Sequence, residues 1–461
     1  DLPDIDLDFM SSRREEVFQY LNDKYGEEFV AGISNYGTMG SSSSLRDIAR
    51  VYGLQPFEVN CASLVPKEHG QPVSLEEARD QVAEILVFSE KHPQIFEIAR
   101  QLQGTMRSYG KHAAGVVVGG VPLTDRSVVE IRKGERIINW DKRVSEDMGL
   151  VKLDILGLST LDIIGKALEY IKERHGAEVN LEDIPLDDEE TLAKFSRGET
   201  LGIFQFEGGA ARKLLKNMAQ VTPVTFDDLV AANALNRPGP IDAGLVDDYV
   251  NSKNGVGNIA LPHENAENAL KDTFNVIVYQ EQVMQIAVDL AGFSLSEADG
   301  LRKAMGKKDK DKMASYQDKF VEGCAKVSGM EKVDSQYLWD VIAGFVAYAF
   351  NKSHAAEYSL ISYLGMYLKA NYPVEFYAAA LSVVDESKLQ PIVLDALENH
   401  IQVLPPDINQ SEEDFVIAND TTLITPMTMV KNFSRKSMEA IKEVRQTSGK
   451  KITSPQDLKD E

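Results

Sequence analysis

The 461-residue chain is short of several things. It holds two cysteines, Cys61 and Cys324, far apart and without metal-ligand spacing. A disulfide scaffold and a structural zinc site are excluded, and a reducing, cytoplasmic setting is expected. No stretch of about 18 apolar residues occurs, so no membrane span is expected. The sequence opens on acidic DLPDIDLDF, so no signal peptide is expected either. The first residue is Asp1 rather than Met, as in a fragment, a processed product or an excised domain. An excess of base is also missing. Lys plus Arg number 49 against 72 Asp plus Glu, a formal net charge of −23. A simple nucleic-acid binder is basic, so this balance favours an acidic enzyme with a small substrate unless base is concentrated locally. It is concentrated: Arg302, Lys303, Lys307, Lys308, Lys310 and Lys312 face only Asp309 and Asp311 in their window, while acid collects in LEDIPLDDEE at 181–190.

What is present reads as roughly two to four domains, at about 100–200 residues each. Hydrophobic residues make up 43%, enough for real cores. No internal repeat or long low-complexity tract stands out, and the serines at 41–44 are too few for a linker. Residues 1–9 alternate like a strand. Ser12 and Glu15 have capping-box spacing, and Val17, Phe18, Leu21 and Tyr25 form an apolar helical stripe ending at Gly26. Residues 45–104 read as short helices. GKHAAGVVVGG at 110–120 reads as a loop feeding a buried strand. LVKLDILGL at 150–158 is a second strand, followed by a helix through Leu161, Ile164, Leu168 and Ile171. Residues 190–380 are mainly helical, broken at NRPGP, 236–240. A long helix follows Ser353 and stops at Pro373; the tail has a turn at VLPPD, 403–407, and a helix from Lys436. The fold class is α+β, a small sheet carrying acids and then a large helical domain.

Four segments carry charge that could do chemistry. In PDIDLDF, a strand turns Asp4, Asp6 and Asp8 to one face and Ile5, Leu7 and Phe9 to the other. Acids two apart lie about 6.6–6.8 Å apart along the strand. Three carboxylates in a row repel and must be solvated, protonated or neutralised by cations, and a pair of Mg²⁺ ions would fit between neighbours. An edge strand whose acids deter aggregation has the same pattern. In LVKLDILGL, Lys152 and Asp154 share one face of an apolar strand; Lys152 either pairs with Asp154 or reaches a phosphate. LRKAMGKKDKDK at 301–312 could wrap a triphosphate or a DNA backbone, or be a solvated helix face. FNKSHAAEYS at 350–359 puts Asn351, Lys352 and His354 at a helix start, an anion site unless Ser353 merely caps the helix. VYQEQVMQIA and FQFEGGAARKLL read as helix starts, with Gln205, Glu207, Gln280 and Glu281 as ordinary polar residues there.

Taken in order, PDIDLDF, GKHAAGVVV, GLVKLDILGL, IPLDDEETL, GIFQFEGG, NRPGP, VYQEQVMQIA, LRKAMGKK and FNKSHAAEYSLISY resemble the alpha subunits of bacterial DNA polymerase III, the family C replicative polymerases. The resemblance runs over nearly the whole chain and, more weakly, through VLPPDIN. It implies a small mixed-sheet palm of the nucleotidyltransferase type seen in DNA polymerase beta, in two parts, 1–35 and 110–159. A thumb-like helical insertion, 36–109, would separate them. Helical fingers at 160–383 would follow, then 384–461, the end of the fingers with a partial helix-hairpin-helix-like region. It implies transfer of a deoxynucleotide from dNTP to a primer 3′-hydroxyl, with two Mg²⁺ ions held by Asp4, Asp6 and Asp154. Asp8 is left out because relatives carry Asn there. Lys152, Arg302 and Lys303 would meet the phosphates, and Asn351, Lys352 and His354 would line the nucleotide pocket. Lys307 and Lys308 are assigned to DNA. Implied partners are primer-template DNA, dNTP, and other replisome subunits or a chain supplying the segment that family members carry before PDIDLDF. Lys303 departs from the family's second Arg and loses its bidentate fork. Ser42 stands where a family Lys is usual, and Phe433 and Ser434 where a hairpin glycine is usual. Two other readings remain: an inactive or split polymerase-like subunit needing a partner chain, and a metal-dependent nucleotidyl or glycosyl transferase using the D-x-D row.

Overall fold

A computed structural model describes residues 5–68, 71–257, 259–306, 310–345, 349–448 and 451–454. The fold mixes a small sheet with many helices, and the chain divides into two compact units, Asp1–Leu158 and Ser159–Glu461.

The first unit opens with β1 (Ile5–Met10), α1 (Arg14–Tyr25) and β2 (Val30–Thr38). A helical insertion follows: α2 (Ser41–Val51), the short pair β3 (Lys67–Glu68) and β4 (Gln71–Pro72), α3 (Leu75–Gln81), α4 (Ala83–Lys91) and α5 (Pro93–Leu102). The chain returns through β5 (Met106–Val118), β6 (Val129–Arg132), β7 (Glu135–Ile138), α6 (Lys142–Asp147) and β8 (Val151–Leu158). The six-stranded sheet has the order β1-β8-β5-β2-β7-β6, with β1 parallel to β8 and β5 antiparallel to both β8 and β2. Alternation gives each face its own core. Val30, Val116 and Ile155 pack with Leu21, Val17 and Phe18 of α1 on one side. Ala31, Ile33, Val117 and Ile138 pack with Leu123 and Leu150 on the other. The insertion has a separate core around Leu45, Leu75, Ile85 and Phe96.

Two expectations change here. The helix after β1 begins at Arg14 behind a 3₁₀ turn, Ser11–Arg13, so Arg13 and not Ser12 is its N-cap. Arg13 pairs with Glu16 instead, at 2.8 Å. GKHAAGVVV is not a loop feeding a strand but part of a 13-residue strand, interrupted by a bulge at residues 112–115. Strands β2, β6 and β7 have no clear alternation to announce them.

The second unit is mainly helical: α7 (Ser159–His175), α8 (Glu189–Arg197), α9 (Gly209–Met218), α10 (Phe226–Leu235), α11 (Pro238–Asp242), α12 (Leu245–Lys253) and α13 (Glu267–Leu270) come first. Next are α14 (Gln280–Ala291), α15 (Leu295–Gly306), α16 (Lys310–Val327), α17 (Lys332–Phe345), α18 (Lys352–Asn371), α19 (Pro373–Val383) and α20 (Glu386–Glu398). A three-stranded sheet of β9 (Gln402–Leu404), β10 (Val416–Asn419) and β11 (Thr422–Ile424) precedes α21 (Arg435–Ser448). NRPGP ends α10, then its first proline starts α11, because the missing N–H costs nothing at a first turn. Pro373 likewise opens α19 where α18 stops. Buried charges are paired: Lys369 Nζ lies 2.6 Å from Asp395, and Lys253 Nζ 2.8 Å from Asp228. No helix among the described residues is long and apolar enough to cross a membrane. Both cysteines are free thiols, and burial pushes Cys324 up to about 11.

Candidate nucleotidyl-transfer site

In the first unit, the parallel register sets Asp6 opposite Asp154. Adjacent strands are about 4.7–4.9 Å apart, and opposed residues project to the same face. The two carboxylates therefore stand side by side on the sheet face away from α1. Asp4, the third acid of the expected trio, lies outside the described residues. Lys152, two residues before Asp154 on the same face, is buried, and its ammonium contacts Asp154 Oδ2. The other oxygen, Oδ1, is buried with no hydrogen-bond partner among the described residues. A buried, half-satisfied carboxylate beside a second carboxylate fits a divalent cation, which takes oxygen ligands readily. Among the described residues no group of three or more His, Cys, Asp or Glu is close enough to hold a metal.

The strand on the other side of Asp154 is irregular. Gly115 of β5 is opposite Asp154, and Val117 opposite Lys152. Against β2, Val116 pairs with Gly32 but Lys111 pairs with Ser34, so residues 112–115 bulge opposite Ile33 alone. A Cβ on Gly115 would come within 2.7 Å of Ile33 Cδ1, closer than packing allows, so any side chain there would force the buried Ile33 to shift. His112 and Arg14 brace this bulge; neither is a site residue on sequence grounds, although GKHAAG stands out there.

In the second unit, Arg302 and Lys303 lie on α15 and both engage one carboxylate, Asp299, at 2.8 and 3.2 Å. The Arg302 guanidinium, and then Lys303, hold Asp299 below the usual carboxylate range. Sequence reasoning misses Asp299, yet its i,i+3 and i,i+4 spacing to the two cations is the helical ion-pair spacing. Lys307 and Lys308 lie outside the described residues.

Asn351 is the N-cap of α18, accepting the His354 N–H at 2.9 Å, so Ser353 is not the cap. Glu281, at the start of α14, takes the Lys352 N–H and the Asn351 side-chain amide, each at 2.9 Å. The helix start read as an anion site thus already receives a carboxylate of the chain itself, and Glu281 is more than an ordinary helix-start residue. His354 lies against Tyr358, ring centroids 4.1 Å apart, and lines a small pocket with Gln205, Asn236, Arg237 and Phe350. The Arg237 guanidinium sits 4.3 Å over the Phe350 ring, and burial lowers its pKa. In the sequence the prolines of NRPGP draw the eye, and its arginine passes unnoticed.

Residues 1–157 match the family model described as bacterial DNA polymerase III alpha NTPase domain. Residues 160–328 match the bacterial DNA polymerase III alpha subunit finger domain, and 400–461 a helix-hairpin-helix motif. The DNA polymerase III subunit alpha of Yersinia pestis is 41% identical over 510 residues, covering 98% of this chain and 43% of the relative. That of Thermus aquaticus is 40% identical over 462 residues, 97% of this chain and 37% of the relative. That of Bacillus subtilis is 39% identical over 427 residues, 91% and 37% respectively. The chain spans about two fifths of the length of the curated relatives it matches.

Proposed function

Because the chain belongs to the family of bacterial DNA polymerase III alpha subunits, we propose that it carries the nucleotidyl-transfer centre of a template-directed DNA polymerase. The first unit would supply the palm and the helical insertion, and the second the fingers. The observation that carries this reading is the Asp6–Asp154 alignment on adjacent parallel strands, with one buried Asp154 oxygen left over.

Asp4, Asp6 and Asp154 would hold two Mg²⁺ ions. When bound, such ions lower the pKa of the primer 3′-hydroxyl and neutralise charge on the departing pyrophosphate. Lys152 has a flexible four-carbon stem, so its ammonium can leave Asp154 for a triphosphate oxygen. Arg302 and Lys303 would meet the remaining phosphate charge. Asn351 and Glu281 fix the start of α18, and so hold Lys352 and His354 for the nucleotide. Lys307 and Lys308 would lie along the DNA backbone. Primer-template, dNTP and other replisome subunits are the proposed partners, in the cytoplasm.

The test is primer extension by an Asp154→Asn variant, alongside DNA binding. Removing even a group behind the ligands costs about 10–100-fold in metal affinity or activity. Asp154→Asn should lose at least that much rate and keep its affinity for primer-template. Near-normal extension would remove Asp154 from the centre. No extension by the unaltered protein, with DNA still bound, would favour the inactive-subunit reading.

A further inference from the structure

We propose that His112 is a positioning residue for the carboxylate centre: its imidazole fixes the bulge of β5, and through it the seat of Asp154. The inference rests on the reading of Asp6 and Asp154 as metal ligands. His112 Nδ1 accepts two backbone N–H groups, from Gly115 at 2.8 Å and from Ala114 at 3.3 Å. Both belong to the bulge, where the ladder to β2 is interrupted and backbone donors need another partner. Ala114 is 4% exposed, so water is a poor substitute there.

The acceptor works only with Nδ1 unprotonated, so the ring proton sits on Nε2. The Arg14 guanidinium donates to the Ala113 carbonyl and, at 2.8 Å, to the carbonyl of Ile155, the residue after Asp154. One imidazole therefore takes the bulge's N–H groups, and one guanidinium ties a bulge carbonyl to β8. Gly115, pressed against Ile33, closes the arrangement beside Asp154. The consequence is geometric. A strand that slips by one residue turns its side chains to the opposite face. If the bulge relaxed by one residue, β5 would no longer present Gly115 to Asp154, and a side chain would stand there instead. Asp154 would be pushed out of line with Asp6.

The decisive feature is an acceptor at the right height, not an imidazole. Asparagine can supply one, since its side-chain oxygen readily bonds N–H groups two and three residues ahead; alanine cannot. The experiment compares His112→Ala and His112→Asn, in a length of the protein that extends a primer. It measures Mn²⁺ affinity by electron paramagnetic resonance, hydrogen exchange in peptides spanning 111–118, and extension rates at saturating dNTP. His112→Ala should weaken Mn²⁺ binding by about tenfold or more, speed exchange within 111–118, and lower kcat with little change in KM for dNTP. His112→Asn should recover most of each. Unchanged Mn²⁺ affinity in a folded His112→Ala protein overturns the inference. So does an Asn variant that folds but is as impaired as Ala. If the unaltered protein does not bind Mn²⁺, the proposed metal centre fails instead. In that case the exchange comparison decides whether His112 caps the bulge.

Discussion

At the scale of single residues, the charges expected to meet a triphosphate are already engaged. Lys152 lies on Asp154, and Arg302 and Lys303 share Asp299. A phosphate approaching either group would exchange partners with these cations rather than find bare ones. Asp299 is held below the usual carboxylate range by Arg302 first, then Lys303. A depressed carboxyl contributes its pairing fully above its ordinary value and loses it as pH falls through the lowered one. The pairing is therefore constant through neutral pH and fails only in acid. Asp299→Asn should free both cations and lower KM for dNTP, by up to about fivefold, the scale of an exposed ion pair. Steady-state extension at varied dNTP reads the sign. A higher KM would mean that Asp299 aims the cations at the phosphates instead of competing for them.

At the scale of elements, helix α18 depends on a residue from α14. Glu281→Ala would leave the Lys352 N–H and the Asn351 amide without their acceptor. Loss of a cap costs about 0.5–2 kcal/mol. Chemical denaturation should show a loss of about that size, and an unchanged midpoint would mean the helix start does not need Glu281. This pairing also shows what the sequence could reveal. The two acidic strands are legible because a period of two is visible in PDIDLDF and LVKLDILGL. The long helices are legible from their prolines and apolar stripes. That Asp6 opposes Asp154 follows from strand order, which no local pattern carries. Strands β6 and β7 are too short for alternation to register. The bulge in β5 reads as a loop because two glycines and two alanines look like a connection until both flanking strands are seen. Glu281 and Arg237 escape notice because their partners lie on other elements, 71 residues along the chain for the Glu281–Lys352 bond.

At the scale of the molecule, a net charge of −23 means that any grip on DNA comes from local base against a repelling background. Such binding releases counterions and weakens steeply with salt. Replacing Lys307 and Lys308 by Ala should reduce the slope of log affinity against log salt by about one for each phosphate no longer neutralised. An unchanged slope would assign both lysines to solvent or to the nucleotide. The parallel pairing of β1 with β8 has one more consequence. Asp6 and Asp154 bracket almost the entire first unit, and the helices α2–α5 intervene. A ribosome adding about 5–20 residues per second needs roughly 7–30 s to go from one to the other. For that interval β1 exists without the strand it will pair with. During that time only the acids of β1 itself, Asp6 and Asp8, are present, and charge on an unpaired strand discourages pairing with other strands, so the row that would bind metal also guards its own edge until β8 is made.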